Sequence, residues 1–272
     1  MSEYEIIDLP NGSHVCFTEE SHMYSRLNPK TGKRGMRVAG VTTVTKAMDL
    51  DPSALLRWAA KTQCHGVAAR YKMDPGGSWL HSGESIWNET VMHDLTYNDV
   101  RDAAATVGKN VHAIAFQALG MGRAVPDLDR LTVLERKHTE AIMQFWLDYS
   151  PEPEQVEQVV FSERLGVAGR LDFRGRLAGY EGVGVVDCKT GGYISAAAHT
   201  QVGGGYPLLA DESGFGASDF ALILKTYEDG SYDLYPALGT PADFELAVAT
   251  YRASTRINRE AAKAMKARKD AA

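Results

Sequence analysis

The spacing of apolar residues changes period several times along the chain, and each change marks an element. Residues 4–9, 14–18 and 38–44 read as strands, with Asn11-Gly12 as a hairpin signal between the first two. The stretch 28–37, NPKTGKRGMR, predicts a basic loop between strands. Asp51 as N-cap with Pro52 at the first helical position opens a helix to about residue 73, with Leu55, Leu56, Ala59, Ala60 and Val67 on its apolar side. Residues 74–94 hold no clean period and predict an irregular or partly helical insertion. His81, Glu84 and His93 within it match no metal-binding spacing. Thr96-x-x-Asp99 resembles a capping box, and Val100, Ala104, Val107, Val111, Ala115 and Leu119 then recur at helical spacing until Gly120 and Gly122. A further amphipathic helix spans 131–149, carrying Leu134, His138, Ile142, Phe145 and Tyr149 on one side, and Pro151 and Pro153 close it.

Beyond residue 155 the period falls to two. Residues 156–161, the GRLDF run around Asp172 and the VVDCK run around Asp187 predict strands. Residues 195–210 predict a helix, and 219–227 with 231–238 a hairpin about Asp229-Gly230. Thr240, Pro241 and Asp243 start the last helix. Strands and helices so interleaved predict an α/β fold.

Composition narrows the class. The 272 residues are 44% hydrophobic and 24% charged, ordinary values for a globular protein. No apolar run approaches the ~18–20 residues that span a bilayer. The acidic start MSEYEIIDLPNG is no secretory signal, so a cytoplasmic protein is expected. Cys16, Cys64 and Cys188 lie far apart, form no C-x-x-C pair and suit a reducing compartment. The net charge of -6 counts against a tight non-specific coat on nucleic acid. Its distribution is uneven: Arg26, Lys30, Lys33, Arg34, Arg37 and Lys46 fall in 21–48 with no acidic residue among them. Arg252, Arg256, Arg259, Lys263 and Lys266 recur at steps of four, three, four and three, which puts five cations on one helical face. That stripe has two readings, a track for a DNA backbone and a solvated terminal helix.

The candidate chemistry lies in 167–206. In a strand Asp187 and Lys189 point to one side and Cys188 to the other. If the two runs pair as neighbours, Asp172 faces Asp187 across the ladder. Two carboxylates and an ammonium then converge at one edge of a sheet. Carboxylates are the ligands that Mg2+ and Mn2+ prefer. A cation so held polarises a phosphoryl oxygen, and a nearby lysine orients water or offsets charge in the transition state.

D-x-K alone is weak, and by itself it describes an exposed ion pair. The ordered set is stronger: GKNVHAIA in a helix, G-R-L-D in a strand, D-C-K-T-G in the next, then Gln201 and Tyr206. In that order the chain resembles the PD-(D/E)XK nuclease superfamily, and within it the RecB-type nuclease domains and phage-encoded exonucleases, over roughly residues 98–272. The resemblance implies a restriction-endonuclease-like core, a mixed central sheet flanked by helices, with residues 1–97 as an N-terminal extension of strands, basic loop and helices. It implies a metal-dependent deoxyribonuclease, most similar to exonucleases of recombination or DNA processing. Asp172, Asp187, His112 and the backbone carbonyl of Cys188 would hold Mg2+ or Mn2+, with Glu157 a further candidate. Lys189 and Gln201 would act at the scissile bond. Arg34, Arg37, Arg170, Thr190, Tyr206 and the stripe Arg252, Arg256, Arg259 and Lys263 are candidate DNA contacts. The iron–sulfur cluster of some relatives needs four cysteines, one more than this chain has. DNA is the expected partner. A single-strand annealing or recombination protein and a homo-oligomer are further candidates, and a phage-encoded member would work in the host cytoplasm. A structure-specific endonuclease, an RNA-directed nuclease and a catalytically inactive DNA-binding or assembly module stay open as alternatives. One departure stands out. Relatives place Gln and Tyr four residues apart, but here five separate them. Five residues turn an α-helix by about 500°, which would not stack the two side chains.

Overall fold

A computed structural model describes residues 4–49, 53–116 and 127–270. The predicted N-cap pair Asp51-Pro52 and the predicted helix end at Leu119, Gly120 and Gly122 lie outside these residues. An antiparallel meander opens the chain: β1 (Glu5–Asp8), β2 (His14–Thr18), β3 (Met23–Asn28) and β4 (Lys33–Gly40). Then come the helices α1 (Val41–Thr45), α2 (Ser53–Met73), α3 (Gly83–Met92), α4 (Tyr97–Val111) and α5 (Val133–Tyr149). Strands β5 (Glu152–Ser162), β6 (Val167–Arg176) and β7 (Gly184–Lys189) precede α6 (Ala196–His199) and α7 (Tyr206–Glu212). β8 (Phe220–Thr226), β9 (Tyr232–Pro236) and α8 (Pro241–Asp270) complete the chain. The fold is α/β, a mixed nine-stranded sheet flanked by helices, in the order β1-β2-β3-β4-β6-β7-β8-β9 with β5 paired to β6. Among the described residues no helix is long and apolar enough to cross a membrane.

The chain divides into two compact units, residues 1–49 with 112–272, and residues 50–111. The sequence drew its boundary at residue 97. In the structure the N-terminal strands instead extend the main sheet, because Ala39 and Gly40 pair in parallel with Val167 and Ala168. Within the smaller unit, Gln63 ties α2 to the other helices by accepting from the Tyr97 N–H (3.1 Å) and donating to Thr90 (3.1 Å). Segment 74–94, expected to be irregular or partly helical, contains α3, whose N-cap Ser82 forms a capping box with Ser85.

Two local expectations change. The basic loop 28–37 is a tight turn, with Gly32 at φ 62°, between two paired strands. The expected strand 38–44 ends at Gly40 and turns into α1. Its β-branched run reads as strand, yet Val41 and Val44, one helical turn apart, are both buried against Leu171, Tyr206 and Phe244.

β6 positions the site. β5 pairs along all of one edge, from Val167 to Arg176. The opposite edge is therefore shared, with β4 at Val167 and Ala168 and β7 at Phe173, Arg174 and Gly175. Residues 169–172 lie in the fork between them, where the ladder is open. Pro153, which has no N–H to give a ladder, is tolerated because β5 is an edge strand.

On one face of the sheet, a π-helical turn over Thr200–Gly205 joins α6 to α7. Its three glycines answer a packing demand. A Cβ on Gly203 would meet the Gly239 carbonyl oxygen at 2.3 Å, one on Gly204 that of Thr240 at 2.2 Å, and one on Gly205 the Phe244 ring at 2.9 Å. The start of α8 thus sits directly on this backbone. Gly204→Ala is expected to destabilise the protein by about 1–3 kcal/mol, as overpacking does in rigid cores. An unchanged midpoint in urea denaturation would show that this contact yields easily.

Candidate metal centre

Four elements bring titratable side chains to the fork. The pairs Phe173↔Val186 and Arg174↔Val185 set a register that carries Asp172 opposite Asp187 one step further along. At that step the ladder stops, and the Asp172 carboxylate takes over: its Oδ2 accepts the Cys188 N–H at 2.8 Å. Asp187 and Lys189 share a side, as alternation requires, and the Lys189 ammonium forms an ion pair with Asp187 Oδ2. Asp172 and Asp187 are both buried, and Lys189 keeps partial access to solvent.

His112 begins a π-helical turn, His112–Phe116, and its Nδ1 lies 3.2 Å from Asp172 Oδ1 and 3.8 Å from Glu157 Oε1. Glu157 comes from β5. The pairs Val156↔Phe173 and Gln158↔Leu171 bracket it and place it opposite Asp172. It holds φ at 49°, a conformation uncommon for a side-chain-bearing residue and unusual inside a strand. Its Oε2 meets Arg170 Nε at 3.1 Å, and its Oε1 is buried with no hydrogen bond.

The electrostatics follow from crowding three carboxylates into an interior. Burial first, then the Asp172 charge, pushes Glu157 up to about 7 against the pull of His112 and Arg170. The same two causes push Asp187 up to about 6 despite Lys189. Burial would also raise Asp172, but the His112 charge and hydrogen bond, Lys189 and the Cys188 N–H hold it below the usual carboxylate range. Burial opposes charge on His112, and Asp172 overrides it, so the imidazole is raised well above its ordinary value. Lys189 is likewise raised, since its carboxylate neighbours outweigh burial.

The donor set suits a divalent cation. Among the described residues His112, Glu157 and Asp172 form the one cluster with metal-ligand spacing, their donor atoms within 4.8 Å of one another. Around an ion with oxygen ligands at about 2.1 Å, donors sit up to about 4.2 Å apart, so a small inward shift closes the set. A buried carboxylate oxygen without a donor, beside two further carboxylates with raised or contested protons, is an arrangement that a cation satisfies. Asp187 stands outside that set of three: its charge is felt by Asp172 and His112, and its Oδ2 is paired with the Lys189 ammonium. Cys188 contributes its N–H to Asp172.

Gln201 joins the cluster through Lys189, whose Nζ donates to its Oε1 at 3.4 Å. Gln201 Nε2 donates to the Tyr206 hydroxyl at 2.8 Å and lies 3.4 Å from Thr42 Oγ1. The five-residue spacing that an α-helix could not use is resolved by the π-turn, in which the Tyr206 N–H bonds to the Gln201 carbonyl. Tyr206 itself is buried, its ring against Gly169, where a Cβ would approach it to 2.9 Å. It meets Gln201 from within the core and presents almost no surface to solvent.

The other candidate contacts are dispersed. Arg170 is engaged by Glu157 and, through Nη1, by both oxygens of Glu19 at 2.9 and 3.0 Å. Thr190 lines an open pocket with Gly192, Lys225, Thr226, Tyr227, Glu228 and Asp229, at the C-terminal ends of β7 and β8. Arg34 donates from Nε to Ser25 Oγ at 3.0 Å, and Arg37 is exposed on β4. On α8, Arg252 bonds the Leu165 carbonyl, Arg256 and Arg259 are exposed, and Lys263 pairs with Glu260 at 3.2 Å. Sequence reasoning did not find Glu19 or Thr42. Each reaches the cluster from far along the chain, with no local motif to mark it. No protein-family model matches this sequence, and no curated protein matches it either.

Proposed function

We propose that this protein is a divalent-metal-dependent nuclease that hydrolyses DNA phosphodiester bonds, using Mg2+ or Mn2+ on a restriction-endonuclease-like core. The observation that carries the proposal is the meeting of Asp172, Asp187 and Lys189 where the β6–β7 ladder ends, with His112 and Glu157 beside Asp172. His112, Glu157, Asp172, Asp187 and the Cys188 carbonyl would hold the cation. Bound there, it would supply Lewis-acid polarisation of a phosphoryl oxygen and a coordinated water of lowered pKa. The chain's own part is positioning and charge. Lys189, fixed between Asp187 and Gln201, offsets the negative charge that grows on the phosphoryl oxygens. Gln201 is held by Tyr206 and Thr42, so its amide presents one orientation. Exonucleolytic action in recombination or DNA processing, alongside an annealing or recombination partner, rests on the motif resemblance.

The test is release of acid-soluble nucleotides from linear duplex DNA with Mg2+ or Mn2+, against closed circular DNA and RNA as competing substrates. Asp172→Asn and Asp187→Asn are expected to abolish release while staying folded. Equal activity in either variant removes the assignment. DNA affinity without hydrolysis or Mn2+ binding would favour the non-catalytic module.

If α8 carries the DNA backbone, the joint replacement of Arg256, Arg259 and Lys263 by alanine lowers the slope of log affinity against log salt by about 2–3, at roughly 0.9 per phosphate contact. A slope unchanged in fluorescence anisotropy would leave α8 a solvated helix.

A further inference from the structure

We propose that Arg170 and Glu19 form a clamp that positions Glu157 for the cation, which makes Arg170 a positioning residue and not a DNA contact. The inference rests on the metal-site reading above and goes beyond it, since it assigns a task to two residues outside the ligand set. Three observations carry it. Arg170 is a bridge: its Nε meets Glu157 Oε2 at 3.1 Å while its Nη1 meets both Glu19 oxygens at 2.9 and 3.0 Å. Its guanidinium also lies 5.5 Å from the centroid of the Phe17 ring, which limits where the planar group can go. Glu157 is held out of ordinary strand geometry at φ 49°, in a register that sets it opposite Asp172. Such an outlier persists only where surrounding contacts over-determine it. Finally, the two Glu157 oxygens are unlike. Arg170 occupies Oε2, whereas Oε1 is buried without a hydrogen bond, 3.8 Å from His112 Nδ1.

The division of labour follows. A free glutamate would swing and use either oxygen. The clamp takes one oxygen and leaves the other aimed at His112 and Asp172. A guanidinium is suited to this because its fork is planar and holds two carboxylates at once, which an ammonium does not match. Glu19 is the solvent-facing end, its side chain 69% exposed, and it anchors the fork from outside.

The experiment is Mn2+ binding to the full chain, by electron paramagnetic resonance and calorimetry, in wild type, Arg170→Ala, Arg170→Lys, Glu19→Gln, Glu157→Gln and the double variant Arg170→Ala/Glu157→Gln. Partners that orient ligands typically change metal affinity 10–100-fold. Arg170→Ala is therefore expected to weaken Mn2+ at least 10-fold, Arg170→Lys to restore part of the loss, and Glu19→Gln to weaken it by a smaller factor. In the Glu157→Gln background, removing Arg170 should cost nothing further. A general structural role would instead show the same loss in both backgrounds and would overturn the proposal. If Arg170→Ala melts out, Glu19→Gln, which alters only an exposed carboxylate, decides the matter: unchanged affinity overturns the clamp. Wild-type protein that binds no Mn2+ removes the metal reading and the clamp with it. Wild type that binds while Arg170→Ala binds equally well removes the clamp alone.

Discussion

Lys189→Ala is expected to lower the rate of DNA hydrolysis about 100- to 1,000-fold while leaving Mn2+ affinity within a few-fold of wild type. The size follows from losing one preorganised charge aimed where negative charge develops. The split follows from geometry. Lys189 offers no ligand atom; it contacts Asp187 and Gln201. The carboxylates beside it outweigh burial and raise its pKa, so in the proposed reaction it would act as a fixed cation and not as a base. Removing it also frees Asp187 Oδ2, which tends to tighten a cation and not to loosen it. Single-turnover rates paired with calorimetry measure both quantities. Activity within fivefold of wild type would show that Lys189 merely neutralises a buried aspartate. Loss of Mn2+ binding equal to that of Asp172→Asn would make the lysine a structural support.

How much of this was legible in the sequence depends on whether the controlling contact is local. The Asp187–Lys189 pair was legible because period-two alternation is a property of the strand itself. The Asp172–Asp187 apposition needed one assumption, that two consecutive β-runs pair, and the register 173↔186 satisfies it. His112 was placed by resemblance, since a lone helical histidine has no local signature of its own, and the turn that holds it is π-helical. The Gln201–Tyr206 link was not legible, because a glycine run in a predicted helix reads as a break. Only the approach of Gly239 and Thr240 reveals why glycines stand there, and only the π-turn turns a spacing of five into a contact. Glu157 was visible as an acidic residue on a strand, but its left-handed backbone was not. Arg170 read as a cation available to DNA, because Glu19, its partner, lies 151 residues earlier. The parallel junction of Gly40 with Ala168, which makes the N-terminal strands part of the main sheet, was invisible for the same reason.

The metal-free protein is expected to be most stable at about pH 4, to lose stability as pH rises from there through about 7, and to recover it when Mn2+ is added. Glu157 and Asp187 have folded-state values raised to about 7 and about 6, above their ordinary 4.5 and 3.8. Between the two sets of values the folded state binds more protons than the unfolded chain, so stability falls as pH rises through that window. His112 acts in the same direction from neutrality upward, because a raised imidazole contributes stability that is lost as pH climbs through its folded value. Asp172 acts oppositely and lower down: its depressed value contributes stability that is lost as the pH drops below the ordinary carboxylate range. Burial is the first cause for both raised carboxylates, so a cation that neutralises them in place removes the penalty where it is greatest. Melting temperature measured with chelator and with Mn2+ should therefore diverge from pH 5 to pH 8, the metal-free curve falling while the metal-bound curve holds. Glu157→Gln, which cannot ionise, should flatten the metal-free curve and shrink the Mn2+ shift. A metal-free protein whose melting temperature is level or rising over that range would mean that the three carboxylates are not crowded as the fork places them, and the site would lose its claim on a cation.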